Sequence, residues 1–149
     1  MVSLVRTDAT NPEFNKLVRE LDKELAVRDG DDHAFYDQYN KLDAIGHVVV
    51  AFLDGDACGC GAIKALTEDA MEVKRMFVPF AMRKRGIASA ILGELEKWAK
   101  ELGYKSCILE TGEKQPEAVI LYKKQGYKTI PNYGQYMGVR TSICFKKLL

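Results

Sequence analysis

The sequence predicts a mixed α/β (α+β) fold, with one central sheet of about six to seven strands and helices on both faces. Three observations carry this. Helix-period and strand-period stretches alternate along the chain. Asp54-Gly55 sits between two apolar runs, the mark of a tight hairpin. A strand, a basic loop and a long amphipathic helix are followed at once by another apolar strand, so those two strands should pair in parallel.

The elements follow in order. Ser3 to Arg6 reads as a short opening strand. Asn11 then caps a helix, with Pro12 at the first position, where a missing N–H costs little. Phe14, Leu17, Val18, Leu21 and Leu25 turn one face inward, and the pattern fades by Val27. Arg28 to Asp32 reads as a polar loop. Asp29, Asp31, Asp32 and His33 are open to two readings, a solvated loop or an acidic rim that attracts a cation. His33 to Tyr39 reads as a second short helix carrying Phe35, Tyr36 and Tyr39. His47 to Leu53 and Ala57 to Leu66 are the arms of the Asp54-Gly55 hairpin. Thr67-Glu68-Asp69 turns the chain into a third strand, Glu72 to Val78. Pro79 stops it, having no N–H to give to a ladder. After the loop Phe80 to Arg85, a helix runs from about Gly86 to Leu102. Ile87, Ile91, Leu92, Leu95, Trp98, Ala99 and Leu102 form its apolar face, and Gly103 stands where a left-handed cap belongs. Lys105 to Thr111 is a strand and Gly112 to Gln115 a loop. Pro116 opens a helix that ends at Gly126. Tyr127 to Ile130 is a short strand, Pro131 to Gly134 a loop, and Arg140 to Phe145 the last strand.

Bulk properties narrow the function. A chain of 149 residues is expected to form one domain, 1–149, and at this size about 68–70% of the extended surface can be buried. A hydrophobic content of 47% with 29% charged residues is ordinary for a soluble protein. No run reaches about 18 apolar residues, and the N-terminus lacks an apolar signal segment, so a cytoplasmic protein without a membrane span is expected. The net charge of +1 argues against a nucleic-acid partner. Lys74, Arg75, Arg83, Lys84 and Arg85 cluster instead as a patch for a small anion. Cys58, Cys60, Cys107 and Cys144 lie in apolar runs and read as buried thiols. Cys58-Gly-Cys60 lacks the spacing of a zinc site, so no metal is expected.

The chemistry concentrates where the basic loop meets the helix. Arg83-Lys84-Arg85-Gly86-Ile87-Ala88 places cations beside a glycine and a small residue. A helix start offers free N–H groups and about half a positive charge, and Gly86 and Ala88 admit a ligand to that backbone. The segment fits a pyrophosphate. Basic loops before helices also occur on plain surfaces. Neither a P-loop nor a dinucleotide fingerprint is present.

Arg83-x-x-Gly86-x-Ala88, after the Val78-Pro79 strand end, resembles the acetyl-CoA motif R/Q-x-x-G-x-G/A of the GNAT family of N-acetyltransferases. Ala118-Val119-Ile120-Leu121-Tyr122-Lys123-Lys124-Gln125-Gly126-Tyr127 is similar to that family's A-x-x-L-Y-x-x-x-G-F/Y segment. The two stand in the family's order, and the likeness covers roughly residues 45 to 130. The resemblance implies acetyl-CoA as co-substrate and no metal. Arg83, Lys84, Arg85, Gly86, Ile87, Ala88 and Ser89 would hold the pyrophosphate. Backbone groups of Phe77 and Val78 would hold the acetyl carbonyl and pantetheine. It also implies parallel strands that splay apart, a bulge near the end of the first, and an acceptor site bordered by the region of Tyr36. Many members carry asparagine where this chain has Gln115, a departure at a pantetheine contact.

Acetyl transfer from a thioester to an amine needs a donor for the developing oxyanion, a route for the amine's proton, and a proton for the departing thiolate. Tyr122 matches the family's catalytic tyrosine, and a phenol of pKa about 10 is protonated at neutral pH. The alternative is a packed aromatic. Glu72 is the candidate base, a carboxylate in a run that otherwise reads as a central strand. The alternative is a strand-end carboxylate paired with Lys74 or Arg75. Glu110, on the neighbouring strand, is its rival and a candidate substrate-binding residue. His47 reads as a strand-start side chain. Tyr133 and Tyr136 would wall the acceptor site or simply cover a sheet edge. The expected activity is acetyl-CoA-dependent N-acetylation of a small-molecule primary amine, directly in a ternary complex, since no cysteine lies in either motif. The alternative is a non-catalytic acyl-CoA-binding or sensing module. Edge strands at the C-terminal end would allow a homodimer.

Overall fold

The computed structural model describes residues 1–30 and 45–149. Among these, seven strands form one mixed sheet: β1 (Val2–Thr7), β2 (His47–Leu53), β3 (Asp56–Ala65), β4 (Ala70–Phe77), β5 (Ser106–Gly112), β6 (Lys128–Ile130) and β7 (Ser142–Leu148). Their order is β1-β2-β3-β4-β5-β7-β6. The only parallel pair is β4 with β5, as a helical crossover between them requires. Three α-helices are described: α1 (Pro12–Asp29), α2 (Ile87–Glu101) and α3 (Pro116–Lys124).

Strand alternation divides the core between two faces. On one face Val49, Ile63, Met71, Val73 and Leu109 meet Ile87, Ile91, Leu92 and Leu95 of α2, and Tyr122 of α3 joins them. On the other, Val48, Val50, Ala62 and Phe77 meet Phe14, Leu17, Val18 and Leu21 of α1. The α2 helix lies very close to β3. A Cβ on Gly61 would stand 2.5 Å from the Met76 sulfur and 2.9 Å from Ile91 and Leu95 side-chain carbons.

Two irregularities in β4 shape the site. Between Ala62↔Lys74 and Cys60↔Phe77 the register against β3 gains one residue on β4. Arg75 carries that bulge at φ 59°. Lys74 and Arg75 therefore both leave the α2 face, while Met76 and Val78 return to it. Second, β4 and β5 pair only at Ala70↔Ser106, Met71↔Cys107 and Glu72↔Ile108. Beyond Glu72 the two strands part, and the β5-facing backbone of β4 has no ladder partner there.

Several element boundaries depart from the sequence expectations. The α1 helix persists to Asp29 rather than fading at Val27, because Arg28 pairs with Glu24 one turn back and with Glu117 of α3. Leu102 was expected on the buried face of α2 but lies past the helix end and is exposed. β4 starts at Ala70 rather than Glu72. β7 starts at Ser142 rather than Arg140, because the Asn132 amide donates to the carbonyls of Tyr136, Val139 and Ser142 and holds that stretch as a turn. The expected helix His33 to Tyr39 falls outside the described residues.

Candidate active site

The parted strands leave a cleft whose wall includes Glu72 and Lys74 of β4, Glu110 of β5, Asp29 of α1, Tyr122 of α3 and Tyr136. Each arrives for a local reason. Glu72 and Lys74 are two apart on one strand and share a face. Glu110 lies opposite Cys144 of β7, on the face that carries Tyr136 rather than the α2 core. Tyr122 comes from the opposite layer and reaches the cleft through the opening between β4 and β5. Its ring packs edge-on to Tyr127 at 5.7 Å and lies 6.0 Å from Phe145. Its hydroxyl makes no hydrogen bond among the described residues.

The polar side chains are ordered by short contacts. The Tyr133 hydroxyl donates to Glu72 Oε2 at 2.6 Å, and Tyr133 stacks edge-on against Tyr136 at 5.7 Å. Glu72 Oε1 lies 3.9 Å from Lys74 Nζ. The Ser142 hydroxyl donates to Glu110 Oε2 at 2.6 Å. Burial is the main force on their protonation. It lifts the Glu110 carboxyl to about 7, with Asp29 and Glu72 adding to the rise and the Ser142 hydrogen bond and Lys74 opposing it. It lowers Lys74, against the pull of Glu72. It raises Tyr122 well above the usual phenol value, reinforced by Glu110, so this hydroxyl stays protonated at neutral pH. Tyr133 and Tyr136 are raised by burial as well.

At the far end of β4 stands the basic junction. Gly86 caps α2 in the left-handed region, φ 77°, and the space on its Cβ side is open. The first-turn N–H groups of Ile87, Ala88 and Ser89 have no intrahelical acceptors. Lys84 and Arg85 are exposed beside them. Gln125 of α3 donates to Ser89 Oγ at 3.1 Å and ties the two helices together. Arg83 is directed elsewhere. Its Nε donates to the Val78 carbonyl at 2.8 Å, and its Nη2 holds both Glu24 oxygens at 2.7 and 2.9 Å. Phe77, the last residue of β4, and Val78 just after it place their side chains in opposite cores.

One cleft thus gathers Glu72, Glu110, Tyr122 and Tyr136, with Tyr133 bonded to Glu72. The basic loop and helix start, residues 83–89, lie outside the lining of this cleft. Tyr36 lies outside the described residues. Sequence reasoning overlooked Lys74 as a cleft residue, although its place two residues after Glu72 puts it on the same face. It also overlooked Ser142 and Glu24, whose roles depend on pairings remote in sequence, whereas Asp29, one of the residues read either as a solvated loop or as an acidic rim, lines the cleft. Cys58, Cys60, Cys107 and Cys144 are buried and unbridged. Burial pushes Cys60 and Cys107 up to about 12, far from a reactive thiolate. Among the described residues no three His, Cys, Asp or Glu side chains gather to hold a metal, and no helix is long and apolar enough to cross a membrane. Chemically, the cleft offers a neutral phenol, a carboxyl at Glu110 that burial raises to about 7, and strand backbone beyond the β4–β5 ladder.

Comparison with known proteins gives the site a context. Residues 14–127 match the model of the Acetyltransferase (GNAT) family. The chain is 31% identical over 137 residues to the IAA acetyltransferase of Azospirillum brasilense, covering 91% of this chain and 90% of that protein. Its structure is similar to that of a Klebsiella pneumoniae protein described as an acyl-CoA N-acyltransferase. The TM-score is 0.82 at 25% identity, covering 100% of this chain and 98% of the other. It shares its fold with the PaiA N-acetyltransferase of Thermoplasma acidophilum, solved in complex with coenzyme A. That match has a TM-score of 0.73 at 15% identity and covers 100% and 99% of the two chains.

Proposed function

This chain belongs to the Acetyltransferase (GNAT) family, and from that premise we propose that it moves the acetyl group of acetyl-CoA directly to a primary amine of a small molecule. The observation that carries the reading is the opening between β4 and β5, lined by Tyr122, whose hydroxyl has no hydrogen bond among the described residues, with the glycine-capped start of α2 following β4 in the chain. The pantetheine arm would lie along the freed backbone near Phe77 and Val78. Gly86, Ile87, Ala88 and Ser89 would give N–H groups to the pyrophosphate, with Lys84 and Arg85 as counter-charges. Arg83 would join them by exchanging Glu24 for phosphate. The acceptor would enter from the side of Tyr133 and Tyr136.

Two side chains and the strand backbone would do the chemistry. One carboxylate, Glu72 or Glu110, takes the proton of the ammonium, since an alkyl amine of pKa about 10.4 arrives mostly charged. The neutral amine attacks the thioester carbonyl while strand N–H groups receive the developing oxyanion. As the C–S bond breaks, Tyr122 gives its proton to the thiolate and regains one from the amide nitrogen. The four buried thiols take no part.

Steady-state kinetics across a panel of amines, read by release of free coenzyme A thiol, tests this. Amine-dependent release with intersecting double-reciprocal lines is the expected outcome. Parallel lines with an acetylated cysteine would replace direct transfer by a covalent intermediate.

A further inference from the structure

We infer that Glu110, rather than Glu72, is the catalytic residue that takes the acceptor's proton, and that Ser142 is the residue that positions it. This deepens the acetyl-transfer reading and rests on it. The two carboxylates differ in what each has left to offer. Glu72 has a neighbour at each oxygen, the Tyr133 hydroxyl donating to Oε2 at 2.6 Å and the Lys74 ammonium in ion-pair range of Oε1 at 3.9 Å. Glu110 is held on one side only. Ser142 occupies Oε2 at 2.6 Å, and Oε1 has no hydrogen bond among the described residues.

The strand register makes this grip a built feature. Glu110 lies opposite Cys144, and Ser142, two residues before Cys144 on β7, shares that face as a diagonal neighbour. Ser142 is buried, so its hydroxyl is not a solvent-averaged contact. The carboxylate is thereby fixed on β5, across the parted strands from β4, where an amine approaching the thioester would pass.

The charged and titratable neighbours come from every side. β4 contributes Glu72 and Lys74, α1 contributes Asp29, and Glu110 in turn bears on Tyr122 of α3 and on Tyr136. Burial and the two carboxylates hold its proton more tightly, while Ser142 and Lys74 release it, leaving a group that titrates at about 7. A general base is most effective near the working pH. In the step, an N–H bond of the ammonium breaks and an O–H bond forms on Glu110 Oε1. The lone pair so freed forms the C–N bond, and the proton leaves Glu110 to solvent after product release.

The pH dependence of kcat/KM, with direct ¹³C titration of the Glu110 carboxyl by NMR, tests both halves. The wild-type rate should rise through an inflexion near 7 that coincides with the NMR midpoint. Glu110→Gln should remove that inflexion and lower kcat on the order of 10²-fold. Ser142→Ala should move inflexion and NMR midpoint upward together, by about one pH unit, since a hydrogen bond to the charged form is lost. The KM for acetyl-CoA should not change, and Ser142→Thr, which keeps a hydroxyl, should restore both. A structural role for Ser142 would change yield or melting temperature without moving the titration. Thiol release that keeps its rate and inflexion in Glu110→Gln, but loses them in Glu72→Gln, overturns the assignment and leaves the acetyl-transfer reading standing. Absence of thiol release by the wild type across the amine panel overturns that reading, and the base role with it.

Discussion

Tyr122 combines packing with access to the cleft. Its ring fills the core beside Tyr127 and Phe145, while its hydroxyl has no hydrogen bond among the described residues and is free to act as the proposed proton donor. Replacing Glu110 by glutamine should also change stability, with a definite sign. The folded carboxyl titrates at about 7, above its ordinary 4.5, so the native state holds the proton more tightly than the unfolded chain does. Stability from this group is then full below pH 4.5 and falls as pH rises toward 7. Urea unfolding should show Glu110→Gln more stable than wild type at pH 8, on the order of 2–3 kcal/mol, and indistinguishable at pH 4. At this scale the sequence was partly legible. Tyr122 stood in a motif, and Glu72 was a carboxylate in an apolar strand. Ser142 carried no signal, because its partner Glu110 lies 32 residues away and meets it only through the β5–β7 register.

In the proposed reading, the α2 helix is the element that links fold to cofactor. Its apolar face and glycine start were visible in the sequence as spacing and composition. The partner of Arg83 was not, since Glu24 comes from α1, 59 residues earlier. That pairing has a consequence for binding. Glu24→Gln should free the guanidinium and tighten acetyl-CoA, whereas Arg85→Ala should weaken it by up to about tenfold, or 1.4 kcal/mol. Calorimetric titration of both variants measures this, and equal affinities would remove the phosphate from this helix start. Gly86 is a poorer probe, because a side chain there would strain the left-handed cap as well as crowd the ligand. On the other side of α2, Gly61→Ala should force the helix away from β3. A loss of about 1–3 kcal/mol in thermal or chemical unfolding is expected. Boundaries were the least legible feature of the elements. The extension of α1 to Asp29 and the late start of β7 depend on Glu117 and Asn132, whose contacts are tertiary.

For the whole molecule, the parallel pairing of β4 with β5 could be derived from the crossover rule, and the Asp54-Gly55 hairpin from its turn residues. The parting of the two strands after Glu72 could not, because hydrophobic pattern reports which face is buried and says nothing about how far a ladder continues. The placing of β7 between β5 and β6 was hidden for the same reason, while the bulge at Arg75 and the splay were expected only through the family resemblance and not from the pattern itself. Yet the parted pair is what lets Tyr122 from one layer meet Glu72 and Glu110 from the other. The central claim is that acetyl transfer happens in that opening with Tyr122 as proton donor. The most direct measurement is the single-turnover rate of thiol release from enzyme-bound acetyl-CoA on adding amine, in wild type and Tyr122→Phe. The account predicts unchanged acetyl-CoA affinity and a rate roughly 10²-fold lower in the variant, with a smaller deficit for a thioester of a more acidic thiol. Equal rates in the two proteins would contradict it.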